Sequence, residues 1–140
     1  YCVTCHTPRA TGEADARQNA PSINMSYMTH KIHAGKNLIR GYKVGSSDYS
    51  HIGFPGDLRD CTQCHLPGTY QIPLSRDIRA TVTQQDFFSP TPLESTACLS
   101  CHDGKESASH AWTNISEIGE ACSTCHGSGK DKSIDTVHAH

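Results

Sequence analysis

Large apolar side chains are what this sequence has least of. Isoleucine, leucine, valine and phenylalanine make up 22 of 140 residues, about 16%, below the roughly 20% at which a chain usually fails to build its own core. There is one tryptophan, and the mean hydropathy is −0.54. No run approaches the roughly 18 apolar residues of a membrane-spanning helix, and no basic-then-apolar leader precedes Tyr1. An excess of one charge is also missing. The formal net charge of −2 argues against the self-repelling composition of a disordered tail, and no basic patch suggests nucleic acid. The length suits one domain over residues 1–140. Because the first cysteine is already residue 2, the chain is expected to begin inside a larger precursor.

Cysteine and histidine are abundant instead, at eight and ten residues. The cysteines form four pairs of one spacing, each followed directly by histidine: CVTCH (2–6), CTQCH (61–65), CLSCH (98–102) and CSTCH (122–126). Two Cys-x-x-Cys pairs can also surround one zinc ion, but zinc needs only the cysteines. With ten histidines in 140 residues, a histidine falls at a given position with a chance of about 7%, so four in four by accident is on the order of 10⁻⁵. The histidine therefore belongs to the motif. Disulfide and redox-dithiol readings leave it equally unexplained. Cys-x-x-Cys-His is the c-type haem attachment signature. Two thiols so spaced reach the two vinyl groups on one porphyrin edge, and the next side chain turns under the ring to put an imidazole nitrogen on iron. Four motifs imply four haem c groups, held by Cys2 and Cys5, Cys61 and Cys64, Cys98 and Cys101, and Cys122 and Cys125, with His6, His65, His102 and His126 on the irons.

Each iron has a second axial position. Six histidines lie outside the motifs, against two methionines, Met25 and Met28, so the supply favours histidine on both sides of every iron. In MTHKIHAGKNL (28–38), Asn24 or Ser26 can cap a short helix and Gly35 can end it. His30 and His33 then lie on one face, about 5–6 Å apart at Cβ. Leaning along the same helix, they cannot take opposite sides of one iron but can cap two neighbouring haems. His110 and His138 complete the expected distal set, while His51 and His140 stay open between ligand, propionate partner and exposed residue.

The gaps between motifs, 7–60, 66–97 and 103–121, are uneven and show no long helical or alternating period. Short helices are expected at the motifs, at 26–34 and at 94–101. Thr81 to Thr83 suggest a brief strand, and Pro90 and Pro92 an extended turn. The fold class is thus a multihaem cytochrome c: mostly irregular loops with short α-helices wrapped around four stacked haems, with little or no β structure. The flat apolar faces of the haems, buried at about 25 cal/mol per Å², would supply the interior that the side chains cannot. GSGK (127–130) resembles part of a phosphate-binding loop but lacks its earlier glycine, and reads as a turn. NMS (24–26) and NIS (114–116) match the glycosylation sequon, which is frequent by chance. Arg40, Lys43, Arg59 and Lys36 are expected in solvent, or beside haem propionates.

Several segments in order resemble the outer-membrane multihaem cytochromes of metal-reducing bacteria, the decahaem OmcA/MtrC type: YCVTCHTP, MTHKIHAGKNL, HIGFPGDLRDCTQCH with LPGTYQIPL after it, ACLSCHDGKESASHA, EACSTCHG and a late VHAH. Members of that family are built from pentahaem modules in which a further Cys-x-x-Cys-His precedes the one matching CVTCH. Here it is absent, so the chain is read as a fragment lacking that haem or as a tetrahaem relative. The resemblance implies an electron-transfer protein, not an enzyme, that carries respiratory electrons at the cell surface or outside the cell toward iron or manganese oxides. Flavins, other cytochromes or further copies of the chain would be its partners. Covalent haem attachment by itself requires only a compartment outside the bacterial cytoplasm, the periplasm included. Two alternatives stay open: a reductase of nitrogen or sulfur oxyanions with one open iron, and a subunit of a polymeric cytochrome in which a neighbour donates a histidine.

Overall fold

The computed structural model describes residues 1–14, 19–75 and 77–139, and most of that chain is irregular. Five short α-helices are spaced along it: α1, Met25–Ala34; α2, Leu93–Leu99; α3, Lys105–Thr113; α4, Ser123–His126; and α5, Ile134–Val137. Two-residue strands form two antiparallel hairpins. β1, Lys43–Val44, pairs with β2, Ser47–Asp48, and β3, Ile115–Ser116, pairs with β4, Gly119–Glu120. Single 3₁₀ turns occupy Cys2–Thr4, Gly35–Asn37 and Cys61–Gln63.

Local chemistry sets the helix ends. Gly35, at φ +37°, stops α1, and its amide donates to the Lys31 carbonyl; a left-handed φ is one that glycine adopts at little cost. Asn24 stands at the N-cap, but its side chain does not cap the helix; its Nδ2 donates to Thr81 Oγ1 at 2.8 Å. α2 follows Pro92 in extended conformation (ψ 167°). Its first free amides, those of Glu94 and Ser95, donate to the Glu120 carboxylate, at 2.8 and 2.6 Å. A negative group is favoured at a helix N-terminus. α1 packs on α2, and α2 on α3.

The apolar core is as small as the composition requires. Leu99, Ala108 and Ala111 are buried together with Phe88 against them, and Tyr27, Ala34, Tyr42 and Ile72 are buried elsewhere. Polar groups fill much of the remaining interior. Lys31 Nζ meets Asp103 Oδ2 at 3.3 Å with side-chain exposures of 2% and 1%, and Asp103 also accepts the amides of Ile39 (2.8 Å) and Arg40 (3.0 Å). The Tyr27 hydroxyl donates to Asp86 at 2.9 Å, and Tyr42 donates to the Ser22 carbonyl at 2.7 Å. Because Lys31 lies between His30 and His33, and Asp103 follows His102, this ion pair ties the histidine helix to the third motif.

Several expectations are refined. The helix expected at 94–101 ends at Leu99, because the third motif turns there. Thr81 makes only an isolated bridge to Thr91. Arg40 is exposed as expected, yet held against the protein: it lies 3.6 Å from Asp86, donates to the Gln85 carbonyl and stacks over Phe87 at 4.3 Å. Lys43 and Arg59 pair with Asp48 and Asp57 near the surface. α3 forms without a periodic signal in the sequence.

Two outcomes test this interior. Asp103→Ala strands a buried ammonium and should cost about 3–5 kcal/mol, whereas Lys31→Met with Asp103→Leu should cost much less; denaturant unfolding of the purified protein compares them. Burial raises the pKa of Asp86 above its ordinary 3.8, against the pull of Lys31, Tyr27 and Arg40. A carboxyl raised in the folded state contributes stability below its unfolded pKa and loses it as pH rises through the folded value. Asp86→Asn should therefore lose less stability than the parent between about pH 4 and neutrality, measured as the difference in unfolding midpoint.

Candidate functional site

Each motif closes the same turn although the surrounding structure differs. The amide of the motif histidine donates to the carbonyl of the first cysteine at 3.0 Å (His6 to Cys2), 2.9 Å (His65 to Cys61), 2.8 Å (His102 to Cys98) and 2.9 Å (His126 to Cys122). The second cysteine's amide donates to the same carbonyl at 3.2 Å in all four. One carbonyl thus gathers two thiols and an imidazole into a single tight turn, the arrangement that attachment along a ring edge with axial ligation beneath it requires.

No disulfide joins any two of the eight cysteines. Although its residue is exposed, the Cys98 thiol is desolvated by the surrounding protein and lies near Glu120 and Glu94, which together push its pKa up to about 11. The same causes push Cys122 up to about 12, and desolvation raises Cys61 and Cys101. Among the described residues no three or more His, Cys, Asp or Glu side chains come together as a metal-holding group, so the two-pair zinc arrangement is not formed.

The histidines instead come together in twos. His30 faces His65 with ring centres 6.0 Å apart, His102 faces His138 at 6.1 Å, and His110 faces His126 at 6.2 Å. A metal–imidazole bond of about 2.0 Å, with roughly 1 Å more from nitrogen to ring centre, puts two imidazoles on opposite sides of one iron about 6 Å apart. The interplanar angles of 24°, 46° and 90° all suit such a pair, since each ring can rotate about the nitrogen–iron axis. Every pair joins one motif histidine to one outside the motifs. These residues therefore fit an iron ligated by two histidines.

Backbone carbonyls aim several of the rings. His6 Nδ1 lies 2.7 Å from the Ile23 carbonyl, His126 Nδ1 2.8 Å from that of Lys132, and His138 Nδ1 2.9 Å from that of Ile134, one helical turn back. With Nδ1 engaged, Nε2 is left for a metal, a recurring way of orienting histidine ligands. Burial lowers the pKa of His30, helped by His65 and opposed by the Ser26 carbonyl. Burial, and then His138, lowers His102. Neutral imidazole is the form that binds metal.

His33 is not part of such a pair; its ring packs on Phe54 with centres 5.3 Å apart. No histidine ring lies against His6 or His51 among the described residues, and His140 lies outside them. A cleft of about 150 Å³ has Cys61 on one wall and His138 on another, so the second and third motifs are neighbours. Glu120, two residues before Cys122, accepts the Glu94 and Ser95 amides of the helix that carries Cys98, so the third and fourth motifs are neighbours as well. Sequence reasoning missed the Lys31–Asp103 tie and the carboxylates Glu94 and Glu120 at the third and fourth motifs. Only the direct adjacency of Asp103 to His102 and of Lys31 to His30 hinted at the first of these.

No helix among the described residues is long and apolar enough to cross a membrane. No curated protein matches the chain. The family model described as "Outer membrane cytochrome MtrC/MtrF-like, domains II/IV" matches residues 1–139. With four attachment turns, histidine pairs at iron-spanning distance and a family match over nearly its whole length, the chain belongs to the MtrC/MtrF-like outer membrane cytochromes, multihaem c-type proteins of extracellular electron transport.

Proposed function

We propose that the chain holds four haem c groups, one on each motif, and serves as an electron conductor toward acceptors outside the cell, such as metal oxides, flavins or other cytochromes. The observation that carries this reading is one imidazole-to-imidazole spacing, 6.0–6.2 Å, recurring at three places built from different segments. Bound haem iron supplies a one-electron Fe(III)/Fe(II) couple.

In this reading Cys2, Cys5, Cys61, Cys64, Cys98, Cys101, Cys122 and Cys125 would hold the haems through thioethers, and His6, His65, His102 and His126 would ligate the irons. His30, His138 and His110 would be the second histidine ligands at the second, third and fourth motifs. His33, one turn along α1 from His30, would be left for an iron other than those three. Imidazoles fixed in this way by backbone turns and helices would keep coordination the same in both redox states. They also favour a lower potential than histidine with methionine.

A second reading has one observation in its favour. No histidine ring lies against His6 among the described residues, which leaves that far position to a ligand from another copy of the chain or to a small oxyanion substrate. Carbon monoxide binding and oligomeric state separate these readings from the first.

Intact mass and the visible spectrum of the reduced protein should show four added haems with a low-spin, six-coordinate signature; a colourless preparation carrying zinc would overturn the proposal. His30→Gly, His110→Gly and His138→Gly should each open one iron, read as one additional carbon monoxide bound per chain relative to the parent. His33→Ala should leave the three paired irons closed. Full-stoichiometry carbon monoxide or nitrite binding by the parent itself would favour the reductase.

A further inference from the structure

The segments that carry the second and third histidine pairs are joined by two ties that the ligand scheme does not use, and the ties are crossed. In the first, Lys31 follows His30 on α1, and its Nζ lies 3.3 Å from Oδ2 of Asp103, the residue after His102. Both side chains are buried, and Asp103 also accepts the amides of Ile39 and Arg40, so one carboxylate holds α1 within the helix and beyond its end. In the second, Asp135 stands on α5 one turn before His138. Its Oδ1 accepts the Tyr70 hydroxyl at 3.0 Å, and its Oδ2 accepts the side-chain amide of Gln71. Tyr70 comes shortly after His65 in the chain and meets that imidazole edge-on, with ring centres 6.2 Å apart. One tie therefore runs from the His30 helix to His102, and the other from the His65 segment to the His138 helix.

We propose that Lys31 with Asp103, and Tyr70 and Gln71 with Asp135, are positioning groups that brace the second and third haem sites into one unit, so that electrons cross between them over a constant gap. The inference rests on the four-haem reading. Electron tunnelling weakens steeply with separation, and a hop between sites carried on short elements is reproducible only if those elements cannot slide. The His30–His65 and His102–His138 pairs each fix two rings within one site. Neither fixes one site against the other, whereas each tie does. Because the ties join different ligand segments, together they resist rotation as well as separation. Stability alone does not explain the buried tie, since an apolar pair of similar size often serves as well. What Asp103 adds is direction, with one ammonium and two amides held at set places.

The test is pulsed dipolar EPR of the haem-loaded, fully ferric chain, which reads iron–iron distances and their spread, after haem content has been counted. Three variants are compared with the parent: Lys31→Met with Asp103→Leu, which removes the first tie without stranding a charge; Asp135→Ala, which removes the second; and all three substitutions together. Distances that cross from the second site to the third should broaden in each. In the combined variant they should broaden by more than the sum, because each tie covers for the other. The distance between the third and fourth irons, whose segments Glu120 joins, should keep its width; the fourth iron is identified by its altered signal in a His110→Gly background. Asp48→Asn, which breaks an exposed ion pair within the β1–β2 hairpin, should change no distance. Unfolding midpoints that fall while every distance keeps the parent's width would reduce the ties to a stability role and overturn the proposal, as would equal broadening of all distances. If Lys31→Met with Asp103→Leu fails to load haem, Asp135→Ala decides by the same criterion. Fewer than four haems in the parent would count against the four-haem reading, whereas four haems with unmoved distances count against this inference alone.

Discussion

A chain with so few large apolar side chains has to find its interior elsewhere, and that constraint shapes the whole molecule. The described residues bury Leu99, Ala108 and Ala111 as their apolar cluster, while Lys31, Asp103, Glu94 and a series of serines and threonines are buried around them. At the same time Val3, Leu66, Trp112 and Val137 are exposed, each within three residues of a cysteine or histidine assigned to haem in the proposed scheme. Ile39, Ile78, Phe87 and Ile118 are exposed farther from the motifs, so only some of the uncovered apolar side chains are placed to line a porphyrin face. In the proposed scheme the cofactor would complete hydrophobic burial there, with the protein's own contacts positioning the motif turns.

Seen this way, the histidine pairs act as tertiary links. His30–His65 joins α1 to the second motif, His102–His138 joins the third motif to the residue just past α5, and His110–His126 joins α3 to α4. Each would close a loop of irregular chain through iron, and closing a long loop reduces the freedom of the unfolded state more than closing a short one. The links run between elements too short to be stable alone. Cofactor binding and folding are therefore expected to be one event, as they are in small metal-dependent domains.

The attachment motifs were legible because their chemistry is local: two thiols and an imidazole must lie within five residues. α1 was legible for a similar reason, since a polar residue, two histidines at helical spacing and a glycine sit in order. What stayed hidden depends on distance in sequence. Nothing near His30 points to His65 in particular, and nothing near His33 shows that it will meet Phe54 rather than another imidazole. α3 escaped notice because its buried residues are the alanines Ala108 and Ala111, which give almost no periodic signal. Glu120 capping α2 from a different hairpin is tertiary in the same sense.

The buried polar groups also bear on how such a protein could conduct. Lys31 with Asp103 is a nearly neutral pair, so its burial between the histidine helix and the third motif adds rigidity with little net field. Glu120 ties the motifs in another way: its carboxylate accepts the Glu94 and Ser95 amides and the Ser95 hydroxyl, so the strand leading into the fourth motif caps the helix leading into the third.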